Sequence, residues 1–241
     1  EARQLEIFMS MYTSGCIYRG LRPVYWSPSS KTALAEAELE YPDVHISKSV
    51  YLLFPIVTKG SASLDGLTGG LYTVIWTTTP WTLMANEAVC YHDDVQYVIL
   101  RAENAQSGTV KHFMVAQDLL EKFTAKVGEK YKFTQIKSIK GKDLQGLSCE
   151  HPYVNGKLVP LLHGAHVTTE VGTGFVHTAP GHGMEDFLIG KKHNLPLTSP
   201  VDDSGNYTAD VILPEFAGKH VFTEGNEGVI KILQENQDER L

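Results

Sequence analysis

The alternation of hydrophobic and polar positions predicts a chain built mostly from short β-strands. Strands are expected over residues 49–58, 71–79, 95–101, 158–167 and 173–177, where β-branched and aromatic residues lie between turn residues. Many short strands with few helices are typical of a closed or nearly closed β-barrel decorated by helices. We therefore predict a mainly β fold with a barrel core and peripheral helices.

A smaller part of the chain has the periodicity of an amphipathic helix. Leu5, Phe8, Met9 and Tyr12 are spaced as one apolar face, so residues 2–17 are predicted to form a helix that faces the core. Residues 35–41 fit two structures, since helix propensity is high but Ala and Leu alternate with Glu, and we favour a strand. Further helices are predicted over residues 116–127, directly after residue 185, and over residues 226–236.

Composition limits the domain count and the class of partner. With 241 residues and 42% hydrophobic side chains, the chain can bury one sizeable core. A net charge of −7 argues against a protein held on nucleic acid by bulk charge. Residues 111–142 differ, because they carry eight lysines against three acids. A solvated face and a phosphate-contacting surface both remain open for that stretch.

Cysteine spacing and hydropathy bear on metals and membranes. Cys16, Cys90 and Cys149 are far apart and form no zinc-binding spacing, so we expect a reducing compartment and no metal site. No apolar run reaches transmembrane length, so we expect no membrane partner. The chain opens without Met, and we expect one domain excised from a longer protein, with residues 1–45 and the C-terminal end as connecting segments.

The stretch GTGFVHTAPGHGMED, residues 172–186, is the first candidate for function. It predicts a strand ending at His177, an irregular turn forced by glycine and Pro180, and a helix with Asp186 in its first turn. Such a turn brings two histidines and one carboxylate together at the edge of a sheet. The same residues also fit a purely structural turn with a capping Asp.

The second candidate is WTTTPWTLMAN, residues 76–86. Three consecutive threonines end a predicted strand, and Pro80 stops it, so three hydroxyls surround one bend. Threonine is also favoured in strands for its shape alone, although that does not account for the Pro-Trp-Thr and Ala-Asn that follow.

Together these two stretches resemble the editing domain of isoleucyl-tRNA synthetase, known as connective peptide 1. The resemblance extends to residues 18–28 and 32–41 and so covers nearly the whole chain. The valyl and leucyl relatives would have Thr-Thr-Arg-Pro and Pro-Ala-His-Asp at the corresponding places. The Gly-His-Gly form is similar to bacterial and organellar enzymes, which implies a mitochondrial matrix or, alternatively, a bacterial cytoplasm.

The resemblance implies an aminoacyl-tRNA deacylase. It would hydrolyse valyl-tRNA(Ile), because size alone discriminates poorly against a substrate one methylene smaller; isoleucine against valine is the standard example of this limit. The partners implied are the 3′ end of aminoacylated tRNA(Ile) and the catalytic Rossmann domain of the same chain, with no cofactor in this domain. The alternative is a non-catalytic docking module for the tRNA acceptor end.

The resemblance also assigns roles to individual residues. Asp186 would bind the α-ammonium group, and Thr78 and Thr79 would orient water and the ester. Met84 and Phe175 depart from the family pattern, which affects the expected dimensions of the pocket. The implied site comprises catalytic Thr78, Thr79 and Asp186 and substrate-binding Trp76, Thr77, Asn86, His177, Gly181 and His182, with no metal ligand.

Overall fold

The computed structural model describes residues 1–57, 64, 67 and 70–235 of the chain. The predicted strand end at residue 58 and helix end at residue 236 lie outside the described residues. The helices are α1 (Ala2–Thr13), α2 (Leu120–Val127), α3 (Met184–His193) and α4 (Asn226–Glu235). The strands are β1 (Tyr25–Ser27), β2 (Thr32–Leu34), β3 (Val50–Val57), β4 (Leu71–Thr77), β5 (Ala88–Tyr91), β6 (Gln96–Asn104), β7 (Val110–Ala116), β8 (Tyr131–Lys140), β9 (Ser148–Glu150), β10 (Leu158–His163) and β11 (Val176–Thr178).

Nine of these strands form one mixed sheet in the order β11-β5-β10-β9-β3-β4-β7-β6-β8, and β1 pairs with β2 in a separate ribbon. The β4–β7 and β5–β10 pairs are parallel, and the other pairs of the large sheet are antiparallel. The mainly β prediction is confirmed, but of the predicted closed or nearly closed barrel the structure shows a sheet that is not closed. Among the described residues, β11 and β8 do not pair with each other, so the hydrogen-bond ladder ends at both edges.

The sheet nevertheless curls, so that the segment before β11 lies across the inner strands. Ala116 donates its backbone N–H to the carbonyl of Thr173 over 2.7 Å. The Tyr97 hydroxyl donates to the carbonyl of Gly174 over 2.8 Å, and the Thr173 hydroxyl donates to the carbonyl of Val74. These bonds join β4, β6 and β7 to the chain that enters β11, and they fix the position of His177.

The N-terminal helix does not face the core, which contradicts the sequence-based prediction. None of the residues of α1 is buried, and Phe8 is 50% exposed. The periodicity of its apolar residues is real, yet Leu5, Phe8, Met9 and Tyr12 are all exposed in the part of the chain that the structure describes. The apolar spacing therefore predicted the helix correctly, but it did not determine whether its apolar side is buried.

Two further local predictions differ from the structure. Residues 35–41 contain a 3-10 turn, Glu36–Glu38, in place of the favoured strand, because the Glu38 carboxylate accepts the Ala35 N–H over 2.7 Å and closes a turn. The strand predicted over residues 173–177 begins only at Val176, since Gly172 and Gly174 have φ of 81° and 82°. No helix in the described part of the chain is long and apolar enough to span a membrane.

Candidate active site

A cavity of about 180 Å³ opens where β4 ends, between the 3-10 helix Pro80–Ala85, strand β11 and the start of α3. Both candidate sequence stretches contribute to it, although they lie far apart in the chain. The first, residues 172–186, supplies walls from β11 and the turn before α3, and the second, residues 76–86, supplies walls from the end of β4 and the 3-10 helix. The lining residues are Trp76, Thr77, Thr79, Thr82, Val176, His177, Ala179, His182 and Asp186.

Threonine hydroxyls form one side of this cavity. The Thr77 Oγ1 atom accepts the backbone N–H of Thr79 over 3.1 Å, and the two hydroxyl oxygens are 3.3 Å apart. This short turn makes Thr78 its central residue and leaves Thr78 out of the cavity lining. Pro80 then starts the 3-10 helix, which returns the hydroxyl of Thr82 to the cavity.

His177 forms the buried wall of the cavity. Its Nε2 atom is 3.0 Å from Thr82 Oγ1, and its Nδ1 atom is 2.7 Å from Asn86 Nδ2. Burial, with a smaller contribution from nearby His182, lowers the pKa of His177 to about 3. The ring is therefore neutral at physiological pH and presents an uncharged surface to whatever enters.

Asp186 is the anionic group of the site. It lies in the first turn of α3, where the helix dipole favours negative charge, and its Oδ2 atom accepts the Ala179 N–H over 2.8 Å. Burial raises the pKa of Asp186 to about 6, although the Ala179 bond acts in the opposite direction. The carboxylate is thus largely ionised at neutral pH and is poised for a cationic partner.

His182 also lines the cavity. Its ring packs edge-on against Trp81, with centroids 4.9 Å apart, and burial lowers the pKa of His182 to about 4. Its Nε2 atom has no hydrogen-bond partner among the described residues. A neutral histidine nitrogen at a cavity wall can bind a hydroxyl or amide group of a ligand.

The structure brings together most of the predicted site, namely Trp76, Thr77, Thr79, His177, His182 and Asp186. It does not bring Thr78, Gly181 or Asn86 to the cavity wall. Gly181 packs against the Thr198 backbone, so closely that a side chain there would overlap it. Asn86 is 0% exposed and contacts His177 from behind.

Sequence reasoning missed three lining residues, Thr82, Val176 and Ala179. Thr82 was part of the quoted Pro-Trp-Thr stretch, where Pro80 signals the start of a helix but not which of the following residues faces the cavity. Met84 and Phe175 are buried in the core cluster and do not line the cavity. In the part of the chain that the structure describes, no group of three or more His, Cys, Asp or Glu is placed to hold a metal ion.

Two family models match the chain. One, described as tRNA synthetases class I (I, L, M and V), matches residues 1–142. The other, described as Leucyl-tRNA synthetase, editing domain, matches residues 73–226, a range that contains every lining residue of the cavity.

Curated relatives agree with these matches. The chain is 44% identical to the isoleucine–tRNA ligase of Nostoc punctiforme over 97% of its length, which is 24% of that protein. It is 46% identical to the mitochondrial isoleucine–tRNA ligase of Gallus gallus over 97% of its length, which is 23% of that protein. The chain thus spans about a quarter of the relatives it matches, and both bacterial and mitochondrial proteins are among them.

Solved structures show the same fold. A crystal structure titled GlLeuRS-CP1 has a TM-score of 0.58 at 13% identity and covers 80% of this chain and 98% of that one. The editing domain of cytosolic leucyl-tRNA synthetase from P. knowlesi has a TM-score of 0.57 at 12% identity, covering 81% of this chain and 96% of that one. The editing domain is the deacylase module of such synthetases. By its sequence matches and its fold, the chain belongs to the class I tRNA synthetases, and its cavity lies in their editing domain.

Proposed function

We propose that this domain hydrolyses the valyl ester of tRNA(Ile) and so removes valine that has been attached in place of isoleucine. The single observation that carries the proposal is a cavity of about 180 Å³ with one carboxylate, Asp186, and three threonines on its walls. An aminoacyl ester presents an α-ammonium group, an ester and a side chain. The cavity offers a matching partner for each of them.

Asp186 would bind the α-ammonium group of the aminoacyl ester. An ionised carboxylate gives a charge-assisted hydrogen bond, and the partial burial of Asp186 strengthens that attraction. A bound cation would in turn favour the ionised form and lower the raised pKa of Asp186. The carboxylate would thereby hold the ester carbonyl near the threonine bend.

Thr79 and Thr77 would orient the attacking water and the ester oxygens. Their hydroxyls are 3.3 Å apart, and each can donate and accept a hydrogen bond. Among the described residues, His177, whose pKa is lowered to about 3, hydrogen-bonds Thr82 and neither hydroxyl of this pair. A covalent acyl-enzyme on threonine is therefore disfavoured, and we propose direct attack by a positioned water.

Size selection would come from the walls formed by His177 and Trp76. Isoleucine is longer than valine by one methylene, so a fixed wall that valine just meets would exclude the cognate ester. Selection of this kind rejects the larger acyl group by steric overlap, which costs more than the loss of one apolar contact. The proposal needs no metal and no cofactor in this domain.

The partners proposed are the 3′ end of aminoacylated tRNA(Ile) and the Rossmann catalytic domain of a longer chain. Exposed lysines on β8, among them Lys132 and Lys140, offer positive charge for RNA phosphates on an otherwise acidic protein. We propose that residues 1–45 and the C-terminal end join the domain to that catalytic body. We further propose the mitochondrial matrix as its location, with a bacterial cytoplasm as the alternative.

The test is deacylation of valyl-tRNA(Ile) and isoleucyl-tRNA(Ile) by the 241-residue chain. We expect release of valine and sparing of isoleucine, with Asp186→Asn as the inactive control. A chain that binds the tRNA acceptor end but releases neither amino acid would support the docking module instead. Release of both at equal rates would contradict the proposed size selection.

A further inference from the structure

Asn86 is buried behind the cavity wall, and its amide orientation is fixed by two neighbours. The Nδ2 atom lies 2.9 Å from the carbonyl oxygen of Ala88 and 2.7 Å from Nδ1 of His177, with the carbonyl oxygen of Thr178 farther away at 3.5 Å. A carbonyl oxygen can only accept, so the atom facing it must be the amide nitrogen. The nitrogen then donates its second hydrogen to His177, and the Nδ1 atom of that ring must be an unprotonated acceptor.

Thr82 constrains the other end of the same ring. Its Oγ1 atom lies 2.9 Å from the carbonyl oxygen of Thr79 and 3.0 Å from Nε2 of His177. The Thr79 carbonyl can only accept, so the threonine hydroxyl donates its one hydrogen there. Its lone pair is left to accept a proton carried by Nε2. Both ends of the ring thus lead independently to the same tautomer.

We infer that Asn86 and Thr82 are positioning residues that hold His177 in the Nε2-protonated tautomer and lock its ring as the rigid wall that sets which acyl group fits. The inference deepens the proposed function and rests on it for the identity of the acyl group. It changes the role of Asn86, which we expected from the resemblance to bind substrate directly. The amide acts through His177 instead, since it is 0% exposed and does not line the cavity.

This arrangement has two chemical consequences. With Nδ1 and Nε2 both engaged, neither nitrogen is free to take a proton from water or to bind the ammonium group, so His177 is not a general base. A ring held at both nitrogens also cannot rotate away from a longer side chain. Selectivity then depends on two hydrogen bonds to the ring, one from Asn86 behind the cavity wall and one to Thr82 at the wall itself.

The tautomer can be measured directly. Long-range proton–nitrogen NMR spectra of the 241-residue chain, labelled at its ten histidines, distinguish a protonated Nε2 from a protonated Nδ1. Loss of one signal set in His177→Gln assigns the resonances of His177. We expect Nε2 protonation in the wild type and in Thr82→Ser, which keeps the hydroxyl. In Asn86→Asp we expect a proton on Nδ1, because a carboxylate can only accept there.

Selectivity provides the second readout. We expect the ratio of valyl to isoleucyl ester hydrolysis to fall about tenfold or more in Asn86→Asp and in Thr82→Val. The exposed Asn155→Asp should match the wild type in tautomer and in selectivity, because it makes the same chemical change away from the site. If Asn86→Asp does not fold, Thr82→Val tests the positioning of His177 through the hydrogen bond at Nε2 instead of the one at Nδ1.

The inference is overturned by protonated Nδ1 in the wild type, or by folded Asn86→Asp and Thr82→Val variants that keep wild-type selectivity. A wild-type chain that hydrolyses neither ester overturns the proposed function and, with it, the selectivity half of the inference. The NMR spectra still decide the tautomer in that case. Failure of the positioning role and failure of the proposed function are therefore distinguishable.

Discussion

The cavity region and the N-terminal region of this protein contain similar apolar and aromatic residues but place them in opposite surroundings. Phe175, just before β11, is 2% exposed, whereas Phe8 of α1 is 50% exposed. The segment around Phe175 is joined to β4, β6 and β7 by hydrogen bonds, and α1 has no buried residue at all. The site is thus built by the sheet itself, while the N-terminal helix contributes nothing to the core that holds it.

The largest expected effect is on the stability of the cavity region. Gly174 has φ of 82°, and a Cβ atom there would overlap the side chain of Ala116. We expect Gly174→Ala to lower the free energy of unfolding by about 3 kcal/mol or more, from backbone strain and overpacking together. Chemical denaturation measures this change.

A matched control separates the two causes. Gly108 also has a positive φ, of 70°, but no atom lies within 4 Å of a Cβ placed there. Gly108→Ala should cost only the backbone strain, about 1 kcal/mol. Equal losses in the two variants would mean that the packing of the segment before β11 on β7 is not tight.

Asp186→Ala should give the largest change in chemistry. Removing the carboxylate leaves the ammonium group of the substrate without its partner, so we expect kcat/KM for valyl ester hydrolysis to fall about 100-fold or more. Circular dichroism would check that the fold is retained. A folded Asp186→Ala variant with wild-type hydrolysis would exclude the ammonium-binding role.

His177→Ala should change selectivity more than rate. Loss of the ring opens room for at least one methylene, worth roughly 10–200-fold in an apolar pocket, a range of which isoleucine against valine is the standard case. We therefore expect hydrolysis of the isoleucyl ester to appear while valyl hydrolysis persists. Deacylation of both esters is measured beside the melting temperature. A variant that melts like the wild type and still spares isoleucyl-tRNA would show that another residue excludes isoleucine.

The raised pKa of Asp186 predicts a smaller, pH-dependent effect on stability. Because the folded pKa of about 6 exceeds the ordinary value of 3.8 for an aspartate, the folded state binds more protons between those values, and ionisation of Asp186 lowers stability as pH rises through that window. The loss is absent below about pH 4 and complete above about pH 6.

Asp186→Asn removes this loss, since the amide oxygen can still accept the Ala179 N–H. We expect Asn at this position to raise the free energy of unfolding at pH 7 by roughly 1–3 kcal/mol, and to change it little at pH 4. Denaturation at the two pH values measures the difference. A gain of the same size at both would show that the carboxylate is not desolvated.

Deleting residues 1–17 should have the smallest effect. No residue of α1 is buried, so we expect the free energy of unfolding to change by no more than about 0.5 kcal/mol. Thermal melting of the full and shortened chains makes the comparison. A large loss would show that α1 packs on the sheet in solution.

The sequence predicted where the site lies more accurately than it predicted which residues line the cavity. The glycine-rich turn and the helix start placed Asp186 and His177 together, because glycine, proline and a first-turn acid have strong local preferences. Thr82 was missed because its position depends on how the 3-10 helix after Pro80 folds back, which is a tertiary outcome. Asn86 was assigned to substrate from the resemblance, and a sequence motif cannot tell a side chain that touches a ligand from one that orients its neighbour.

The fold shows the same limit, since local sequence patterns predict elements but not how those elements meet. Strand positions followed from local patterning, whereas closure of the barrel depends on whether β11 and β8 meet, and nothing local in either strand specifies that. Helix α1 was recognised from its period, but its surroundings were not, since an apolar stripe identifies a face and not its partner.

A crystal structure of the chain with a hydrolysis-resistant valyl-adenosine analogue would test the central claim most directly. The account predicts the analogue's ammonium nitrogen within hydrogen-bond distance of the Asp186 carboxylate, with its side chain against His177 and its ester oxygens near Thr79. An analogue bound outside this cavity, or bound within it with the ammonium group turned away from Asp186, would contradict the account.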